Sequence, residues 1–456
     1  MQTSAIILAA GAGKRMRSDT NKVLHKLCGK PMVEHVIDAC RSIGIFQFYV
    51  VIGNDAEQVK EQLGDGYTYV LQKEQLGTGH AALQVSPYYQ NEPHVFVLCG
   101  DTPLITGDTL KRMQQIHKET EADATLLTTV LADPGDYGRV VRDAQGQVCG
   151  LVEAKDATRE QLAINEINTG FYCFRANRLF AALGELTNDN AQGEYYLTDV
   201  IAAIYQAGGR VASCRLEDSQ EALGINDRVR LAQAEAILRQ RIRQRLMLEG
   251  VTFLQPETCL VDAGVSIGQD TIIYPGVIIE GQTTIGRNCI IGPNTHLVDC
   301  QLGNGVSIEH SVARQSTIGD DCIIGPYAYL RPQTELATGV KIGDFVELKN
   351  SQIGAGTKVP HLSYVGDATV GAGVNIGAGT IFVNYDGRQK HRTVVEDGAF
   401  IGCNSNLVAP VHIGQEAYVA AGSTITKDVP VDALAIARSR QENKEGWVAR
   451  RRQKES

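Results

Sequence analysis

The stretch that decides the fold lies in the second half of the chain, where residues 261–297 read VDAGVSIGQDTIIYPGVIIEGQTTIGRNCIIGPNTHL. An aliphatic residue stands at every sixth position, namely Val261, Ile267, Ile273, Ile279, Ile285, Ile291 and Leu297. A helix repeats its apolar residues every three or four positions and a strand every two, so neither explains a period of six. This period predicts a β-solenoid, in which equivalent inward positions stack from coil to coil.

The same period returns further along the chain in four series, each in a new phase. The series are Val306, Val312, Ile318, Ile324, Leu330, Leu336, Ile342 and Leu348; Ile353, Val359 and Val365; Val370 and Ile376; and Val395, Ile401, Leu407, Ile413, Val419 and Ile425. Each change of phase predicts a residue gained or lost at a corner, and the gap from Phe382 to Thr393 predicts a protruding loop. The competing fold, a sandwich of alternating strands, requires period two.

Glycine follows many of the sixth-position residues, as at Gly268, Gly286, Gly292, Gly319, Gly325 and Gly343. A glycine in this place suits a tight corner, so we expect a positive φ there.

The first half of the chain has a different pattern, in which apolar runs alternate with amphipathic segments. The runs expected to form strands are Ala5–Ala10, Phe48–Ile52, Val95–Leu98 and Thr125–Val130. This alternation predicts an α/β domain with a largely parallel sheet. The stripe Leu231, Ala234, Leu238, Ile242 and Leu246 has helical spacing, which predicts one helix over Asp227–Glu249. The arginines of this segment fit a solvated helix surface better than a phosphate site.

Composition limits the class of protein. The chain has 456 residues, 43% of them hydrophobic, and a formal net charge of −9, which favours soluble domains and argues against wholesale nucleic-acid binding. Its 11 cysteines include no C-x-x-C pair, so we expect reduced thiols in a cytoplasmic protein. The first apolar run is too short for a secretion signal, and no run is long enough to span a membrane.

A glycine-rich loop, Gly11-Ala12-Gly13-Lys14-Arg15, follows the first predicted strand. Glycines allow close approach to a phosphate, and the basic residues supply charge at the start of an expected helix. The spacing fits neither a dinucleotide fingerprint nor a P-loop, and a plain structural turn remains open. Asp101 follows the strand Val95–Leu98, at the sheet edge where such folds bind ligands, although a lone aspartate there can also be a helix cap.

Several motifs together carry a resemblance. They are Leu8-Ala9-Ala10-Gly11-Ala12-Gly13-Lys14-Arg15-Met16, Lys22-Val23-Leu24, Gln72 with Gln75-Leu76-Gly77-Thr78-Gly79-His80, Tyr137-Gly138-Arg139, Glu153, Asn168-Thr169-Gly170 and Gln192-Gly193-Glu194-Tyr195-Tyr196. The first half resembles sugar-phosphate nucleotidylyltransferases. From Ser4 to about Trp447 the chain resembles the bacterial bifunctional enzymes that make UDP-N-acetylglucosamine, in which N-acetylglucosamine-1-phosphate uridylyltransferase is fused to glucosamine-1-phosphate N-acetyltransferase.

The resemblance implies an architecture. Residues 1–226 would form a Rossmann-like α/β nucleotidyltransferase domain with a largely parallel mixed sheet, 227–249 a linker helix, and 250–437 a left-handed parallel β-helix of hexapeptide repeats that acts as the acetyltransferase. Residues 438–456 would be a basic tail, solvated or disordered by composition. The family also implies a cytoplasmic homotrimer with acetyl-transfer sites at subunit contacts, and a product used for peptidoglycan and lipopolysaccharide.

For uridylyl transfer from UTP, the resemblance implies Mg²⁺ held by Asp101 and Asn226. The Gly11 loop, Arg15 and Lys22 would bind phosphates, and Gln72, Gly77 and Thr78 would face the uracil. The sugar would be bound by Gly138, Glu153 and Asn168. The remaining nucleotide contacts would be Leu8, Ala9, Ala10, Cys99 and Gly100.

For acetyl transfer, the resemblance implies His361 as the general base, since a neutral amine is needed to attack acetyl-CoA. Without the family, a lone solenoid histidine is more often structural. The implied sugar-phosphate contacts are Arg331, Lys349, Tyr364 and Asn375. The implied acetyl-CoA contacts are Ala378, Asn384, Tyr385, Cys403, Ala421 and Arg438.

Three residues depart from the family pattern. Asn21 replaces a common proline, Cys99 a frequent aromatic, and Cys403 the usual serine, which leaves a weaker side-chain donor for CoA.

Two other functions fit part of the sequence. One is a nucleotidylyltransferase of single activity whose solenoid is a regulatory or oligomerising appendage, and the other is a non-catalytic nucleotide-sugar binding protein.

Overall fold

The computed structural model describes residues 2–11, 13–53 and 56–455, so Ala12 of the glycine loop lies outside the described residues. The chain divides into two compact units, one ending at Arg239 and the other beginning at Gln240. One long helix crosses this division.

The first unit alternates strands and helices in the predicted manner. Its elements are β1 (Thr3–Ala9), β2 (Lys26–Leu27), β3 (Lys30–Pro31), α1 (Met32–Ser42), β4 (Phe48–Ile52), α2 (Ala56–Leu63), β5 (Thr68–Leu71), α3 (Thr78–Leu83), β6 (His94–Cys99), α4 (Gly107–Glu119), β7 (Ala124–Val130), β8 (Arg139–Arg142), β9 (Val148–Val152), α5 (Arg159–Leu162), β10 (Glu166–Arg175), α6 (Ala176–Gly184), α7 (Asp199–Gln206) and β11 (Val211–Arg215), followed by α8 (Arg228–Leu248). Single 3₁₀ turns lie at Lys14–Met16, Lys22–Leu24, Ser86–Tyr88 and Ser219–Ala222.

Seven of these strands form one mixed sheet in the order β11-β7-β10-β6-β1-β4-β5, which β8 and β9 extend beside β10, whereas β2 and β3 pair with each other. β1 pairs in parallel with both β4 and β6, whereas β10 runs antiparallel between β6 and β7. All five residues of β4 are buried, as expected of a strand covered on both faces. The predicted largely parallel mixed sheet is confirmed, and the parallel arrangement brings the carboxyl ends of β1 and β6 together, with Leu8 opposite Cys99.

The helix predicted over Asp227–Glu249 is present as α8, and the side chain of Asp227 accepts a hydrogen bond from the backbone N–H of Arg230 at 2.9 Å. This contact satisfies a free donor of the first turn, as an N-cap does. The sequence expectation for the glycine loop was wrong in part, because only one 3₁₀ turn follows it. That turn ends at Arg17, which adopts a left-handed φ of 49°.

The second unit is a three-faced prism of short parallel strands. Its first face contains Thr252–Phe253, Ile272–Ile273, Ile290–Ile291, Ser307–Ile308, Ile323–Ile324, Lys341–Asp344, Lys358–His361, Asn375–Ile376, Phe400–Ile401, Tyr418–Val419 and Leu434–Ala435. The second contains Leu260–Val261, Ile278–Glu280, His296–Val298, Val312–Arg314, Tyr329–Leu330, Glu347–Lys349, Tyr364–Gly366, Ile381–Val383, Asn406–Val408 and Thr424–Ile425. The third contains Ser266–Ile267, Thr284–Ile285, Gln301–Leu302, Ser316–Ile318, Thr334–Leu336, Gln352–Ile353, Ala368–Val370, Thr393–Val395 and Val411–Ile413.

The sixth-position residues point into the prism as predicted, apart from one short region. Val312 is only half-buried, and its neighbour Ala313 is the buried residue that pairs with Leu297 and Leu330 on adjacent coils. Val306 is buried but lies two residues before the true inward residue, Ile308. The sequence phase was misread because some steps between successive inward residues here, such as Leu297 to Leu302 and Ile308 to Ala313, span five residues instead of six.

The expected reason for the glycine after each inward residue was wrong. Of the six glycines, only Gly325 has a positive φ. The other positions need glycine because the coils approach closely: a Cβ on Gly268 would lie 2.6 Å from the backbone of Gly286, and one on Gly343 would lie 1.8 Å from the carbonyl oxygen of Pro360. Real Cβ atoms cannot come so near to backbone.

The predicted loop is present between the strands that end at Val383 and begin at Thr393. Phe382, at its base, is fully buried between neighbouring coils. The tail expected to be solvated or disordered contains a helix without buried residues, α9 (Trp447–Glu455), in which Arg451 lies 5.5 Å from the Trp447 ring. Among the described helices, none has the length and apolarity needed to cross a membrane.

Two candidate active sites

The first unit has a cavity of about 290 Å³ at the carboxyl ends of its parallel strands. Its lining includes the predicted residues Leu8, Ala9, Ala10, Gly11, Lys22, Gln72, Gly77, Thr78, Cys99 and Asp101. These come from the ends of β1, β5 and β6 and from the segments that follow them. The sheet therefore gathers one set of predicted nucleotide contacts at the edge where such sheets bind ligands.

The predicted metal ligands, Asp101 and Asn226, lie together although they are far apart in sequence. The backbone N–H of Ile225 donates to the carbonyl of Asp101 at 2.9 Å, and the buried Ile225 side chain packs with Leu27 and Met32. These contacts hold the loop that precedes α8 against the end of β6, and thus bring Asn226 to Asp101.

The ammonium of Lys22 lies where the two oxygens converge. Its Nζ donates to Asn226 Oδ1 at 2.6 Å and forms a close ion pair with Asp101 Oδ2. Because one cationic atom contacts both oxygens, the carboxylate and the amide can hold a cation between them. No three His, Cys, Asp or Glu side chains gather as metal ligands in the described part of the chain. Two protein oxygens suit Mg²⁺, which keeps waters and takes further ligands from phosphates.

The other contacts of this cavity are organised by hydrogen bonds within the protein. Gln72 Nε2 donates to the carbonyl of Gly77 at 3.1 Å, and Gln75 Nε2 donates to the carbonyl of Ala10 at 2.7 Å. Gly77 has a φ of 108°, and a Cβ there would lie 2.6 Å from the carbonyl oxygen of Tyr195. Arg15 is exposed and does not line the cavity.

The residues predicted to bind the sugar form a second group that does not line this cavity. The carbonyl of Gly138 accepts from the N–H of Asn168 at 2.9 Å, and a Cβ on Gly138 would lie 3.5 Å from Glu153 Oε2. Burial raises the pKa of Glu153, an effect partly offset by the hydroxyl of Thr198, which donates to Glu153 Oε1 at 3.2 Å.

Two departures from the family pattern have a structural account in this unit. The Asn21 side chain accepts from the N–H of Val23 at 3.1 Å and so caps the turn that carries Lys22. Burial raises the pKa of the Cys99 thiol to about 12, so this side chain stays protonated and lies 3.7 Å from the carbonyl oxygen of Gly170.

In the second unit, His361 lies in a row of residues that runs along one corner of the prism. The backbone N–H of Gly379 donates to the carbonyl of His361, that of Asn404 to Ala378, and that of Gly422 to Cys403. The row therefore contains His361, Ala378, Cys403 and Ala421 on successive coils, and a Cβ on Gly422 would lie 3.7 Å from Arg438 Cδ. His361 and Cys403 are exposed, so the row is accessible from solvent.

The imidazole of His361 has one protein partner in the described chain, since its Nδ1 lies 2.5 Å from Oδ1 of Asp344. The strands of the first face pair these two residues directly. Asp344 was not predicted as a site residue.

Three of the predicted sugar-phosphate contacts, Arg331, Lys349 and Tyr364, lie in a cationic cluster on the second face, whereas Asn375 lies on the first face. Lys349 Nζ lies 3.3 Å from Asp367 Oδ2, and Asn384 Nδ2 donates to the same oxygen at 2.6 Å and to Tyr364 Oη at 3.3 Å. Burial raises the pKa of Asp367, but hydrogen bonds from Asn350, Asn384 and Lys349 outweigh it and lower that pKa.

The predicted loop adds a second ammonium to this cluster. Tyr385 and Lys390 form an antiparallel bridge across the loop, which holds Lys390 beside Lys349. A side-chain hydrogen bond with Lys349, followed by the charge of Lys349, lowers the pKa of Lys390, as expected of two adjacent amines. Arg331, nearby on the same face, donates to Glu347 at 2.9 Å. Adjacent cations of this kind form a site suited to an anion such as phosphate.

Comparison with known proteins adds independent information. Residues 5–202 match the MobA-like NTP transferase domain, and residues 264–298, 315–350 and 392–427 match the bacterial transferase hexapeptide repeats. The Bifunctional protein GlmU of Geobacillus sp. (strain WCH70) is 54% identical over 447 residues, which cover 98% of this chain and 97% of that protein. The chain belongs to the GlmU family.

Other relatives agree, since the Bifunctional protein GlmU of Clostridioides difficile (strain 630) is 49% identical over 455 residues, 100% of this chain and 99% of that protein. A structure of UDP-glucose pyrophosphorylase complexed with UDP-glucose is a distant likeness, with a TM-score of 0.44 and 16% identity, covering 53% of this chain and 100% of that chain. Its family membership makes this chain a bifunctional transferase, whose first unit matches the NTP transferase domain and whose second unit matches the hexapeptide repeats.

Three residues of this GlmU family member were missed by sequence reasoning: Asp344, Asp367 and Lys390. Two of them could have been found from the repeat. Asp344 stands 17 residues before His361 and Asp367 stands 18 residues after Lys349, which is one coil in each case. A residue one coil from a predicted site residue is its neighbour along the prism.

Proposed function

We propose that this chain catalyses two consecutive transfers. Acetyl-CoA would acetylate the amine of glucosamine-1-phosphate, and N-acetylglucosamine-1-phosphate would then attack UTP in a Mg²⁺-dependent reaction that releases pyrophosphate. Family membership supports this proposal. Each unit also contains one cluster of polar residues, and each cluster suits one of the two reactions. The observation that carries it is the exposed row that joins His361 to Ala378, Cys403 and Ala421.

In acetyl transfer, we infer that His361 is the general base. Its Nε2 accepts a proton from the substrate amine as the nitrogen attacks the thioester carbonyl carbon, and the carbon–sulfur bond breaks. The imidazolium returns the proton to the leaving thiolate, which gives CoA thiol. Acetyl-CoA would lie along the row, with Asn384 and Tyr385 at its side and Arg438 at its far end. The exposure of the His361 imidazole supports this role.

The cationic cluster on the second face would bind the phosphate of glucosamine-1-phosphate. Arg331, Lys349 and Lys390 supply the charge and Tyr364 adds a hydroxyl group. Asn375 would contribute its amide from the neighbouring first face. The repulsion between Lys349 and Lys390 supports an anion between them, because an anion removes the cost of holding two cations together.

In uridylyl transfer, the protein aligns two phosphate compounds and neutralises their charge. Asp101 and Asn226 would hold Mg²⁺, which when bound neutralises phosphate oxygens. Lys22 would then pair with phosphate instead of Asp101, together with Arg15 and the backbone of the Gly11 loop. Gln72, Gly77 and Thr78 would bind the uracil, and Gly138, Glu153 and Asn168 the sugar.

Single substitutions test whether the two activities use separate sites. His361→Ala should abolish thiol release from acetyl-CoA and leave pyrophosphate release from UTP and N-acetylglucosamine-1-phosphate intact. Asp101→Ala should do the reverse. His412→Ala is the matched control, since His412 also pairs with a carboxylate across coils, at 2.8 Å from Glu396, but lies outside the row. Equal loss of both activities in either site variant would contradict separate sites.

We also propose that the chain is a homotrimer, with a second copy covering an exposed ridge beside the acetyl site. This ridge consists of His310, Tyr327, Phe345 and Leu362, which occupy one corner on successive coils, all with left-handed φ between 46° and 61°. Tyr327 and Phe345 stack at 5.3 Å. Aromatic residues in this backbone region are strained, and such an exposed apolar row supports a contact surface. The ridge continues to His361, the neighbour of Leu362, so that a second copy would complete the acetyl site.

We place the chain in the cytoplasm. All 11 cysteines lie within the described residues, and only Cys403 among them is exposed; cysteines that are mostly buried and include no C-x-x-C pair are typical of reduced core thiols in a reducing compartment.

A further inference from the structure

We infer that Asp344 is a positioning residue for His361, whose carboxylate fixes the imidazole as the tautomer with a free lone pair on Nε2. This inference rests on the proposed acetyl transfer, in which Nε2 accepts a proton from the substrate amine.

The contact between the two residues is determined by the regular part of the fold. Asp344 ends one strand of the first face, His361 ends the next, and the two are register partners. The N–H of Leu362 donates to the carbonyl of Asp344 at 2.9 Å, which ties the backbones together just beyond the side-chain contact. The distance of 2.5 Å between Nδ1 and Oδ1 is therefore maintained by strands rather than by a loop.

The nitrogen that makes this contact decides its chemical consequence. A neutral imidazole carries one proton, on either Nδ1 or Nε2. The hydrogen bond from His361 lowers the pKa of Asp344, so this carboxyl group is an ionised acceptor near neutral pH. An ionised acceptor at Nδ1 requires the proton there and leaves the lone pair on Nε2, the nitrogen that has no hydrogen-bond partner among the described residues.

Other histidines of the solenoid show that this arrangement is not a general result of the repeat. His296, His391 and His412 also pair with carboxylates, but each does so through Nε2, at 2.7 Å, 2.7 Å and 2.8 Å. Among these pairs, only His361 contacts its carboxylate through Nδ1 and keeps its outer nitrogen available.

Steady-state kinetics of the full chain test the inference. Asp344→Ala should lower kcat for thiol release from acetyl-CoA and glucosamine-1-phosphate by roughly 10- to 100-fold, because the imidazole loses the partner that orients it. The KM values should stay within about twofold, since Asp344 contacts neither substrate in this account. Asp344→Asn should restore kcat to within about threefold of wild type, because the amide oxygen can still accept from Nδ1.

Two controls separate this role from a structural one. Glu396→Ala removes the carboxylate of the His412 pair and should leave kcat unchanged, and the melting temperature of each variant reports on folding. Wild-type kcat in Asp344→Ala would overturn the inference, and so would a loss of kcat that is matched by Glu396→Ala. If the wild-type chain releases no thiol, the proposed acetyl transfer fails instead, so the two failures are distinguishable.

Discussion

Replacing Phe345 by glycine should have different effects on the single chain and on its assembly. Phe345 adopts a left-handed φ of 55°, and 58% of the residue is exposed. Glycine would relieve backbone strain of about 1–2 kcal/mol. This gain is offset by about 0.5–1 kcal/mol for the greater freedom of glycine in the unfolded chain and about 0.5–1.5 kcal/mol for the lost stacking on Tyr327. The free energy of unfolding of the protomer should therefore change by no more than about 1.5 kcal/mol.

The trimer should be weakened far more. Burying a phenylalanine side chain contributes about 1.5–3 kcal/mol, so covering the exposed part of Phe345 contributes about 1–2 kcal/mol at each contact. A closed trimer has three such contacts, which gives about 3–6 kcal/mol and a roughly 10²- to 10⁴-fold change in the association constant.

Sedimentation velocity over a series of concentrations measures this change, with thermal melting at low concentration as the measure of protomer stability. Tyr418→Ala is the control, since Tyr418 is 52% exposed and stacks on Phe400 at 5.2 Å but lies outside the ridge. Thiol release should fall with dissociation in Phe345→Gly, whereas pyrophosphate release should persist. An unchanged association constant in Phe345→Gly would refute the assignment of the ridge as the contact between copies.

Further predictions concern pH, backbone space and metal. Burial, followed by the neighbouring His94, lowers the pKa of His117 to about 4 from 6.5. The neutral imidazole therefore contributes about 3 kcal/mol to the free energy of unfolding above pH 6.5, and this contribution is lost as pH falls towards 4. His117→Gln should flatten the pH dependence of the urea midpoint over this range. Gly343→Ala should lower the melting temperature and thiol release, because the added Cβ would meet the Pro360 carbonyl. A Cβ added at Gly11 would have no neighbouring atom within 4 Å, so Gly11→Ala should leave the melting temperature unchanged and raise only the KM for UTP. Chelation of Mg²⁺ by EDTA should stop pyrophosphate release and leave thiol release unaffected; loss of both would contradict a metal-independent acetyl site.

Periodicity predicted most of the fold because burial follows it closely. Outside the loop, the inward residues of the solenoid recur every five or six positions, and the strand Phe48–Ile52 is found with the predicted bounds. The misread phase at Val312 arose because a corner can lose a residue, and a sequence does not mark which side chain then turns inward. The role of Gly343 was also hidden, since the backbone that excludes its Cβ belongs to the next coil.

The candidate sites also depend on contacts between residues that are distant in sequence, which local motifs do not mark. The residue pattern near Asp101 indicated a phosphate site, but nothing local in sequence connects it to Asn226, and the link is the hydrogen bond from Ile225. Asp344 was missed because it contacts His361 only across one coil, 17 residues away in sequence, and no local motif includes both residues. The residue roles in both units stay predictions until variants are measured.

The most direct test of two coupled activities is a single reaction with the wild-type chain, glucosamine-1-phosphate, UTP, Mg²⁺ and acetyl-CoA, in which CoA thiol and pyrophosphate are both followed over time. Our account predicts that thiol appears first, that pyrophosphate follows to an equal final amount, and that omitting acetyl-CoA removes both products. Pyrophosphate release that does not depend on acetyl-CoA, or the absence of thiol when all substrates are present, would contradict it.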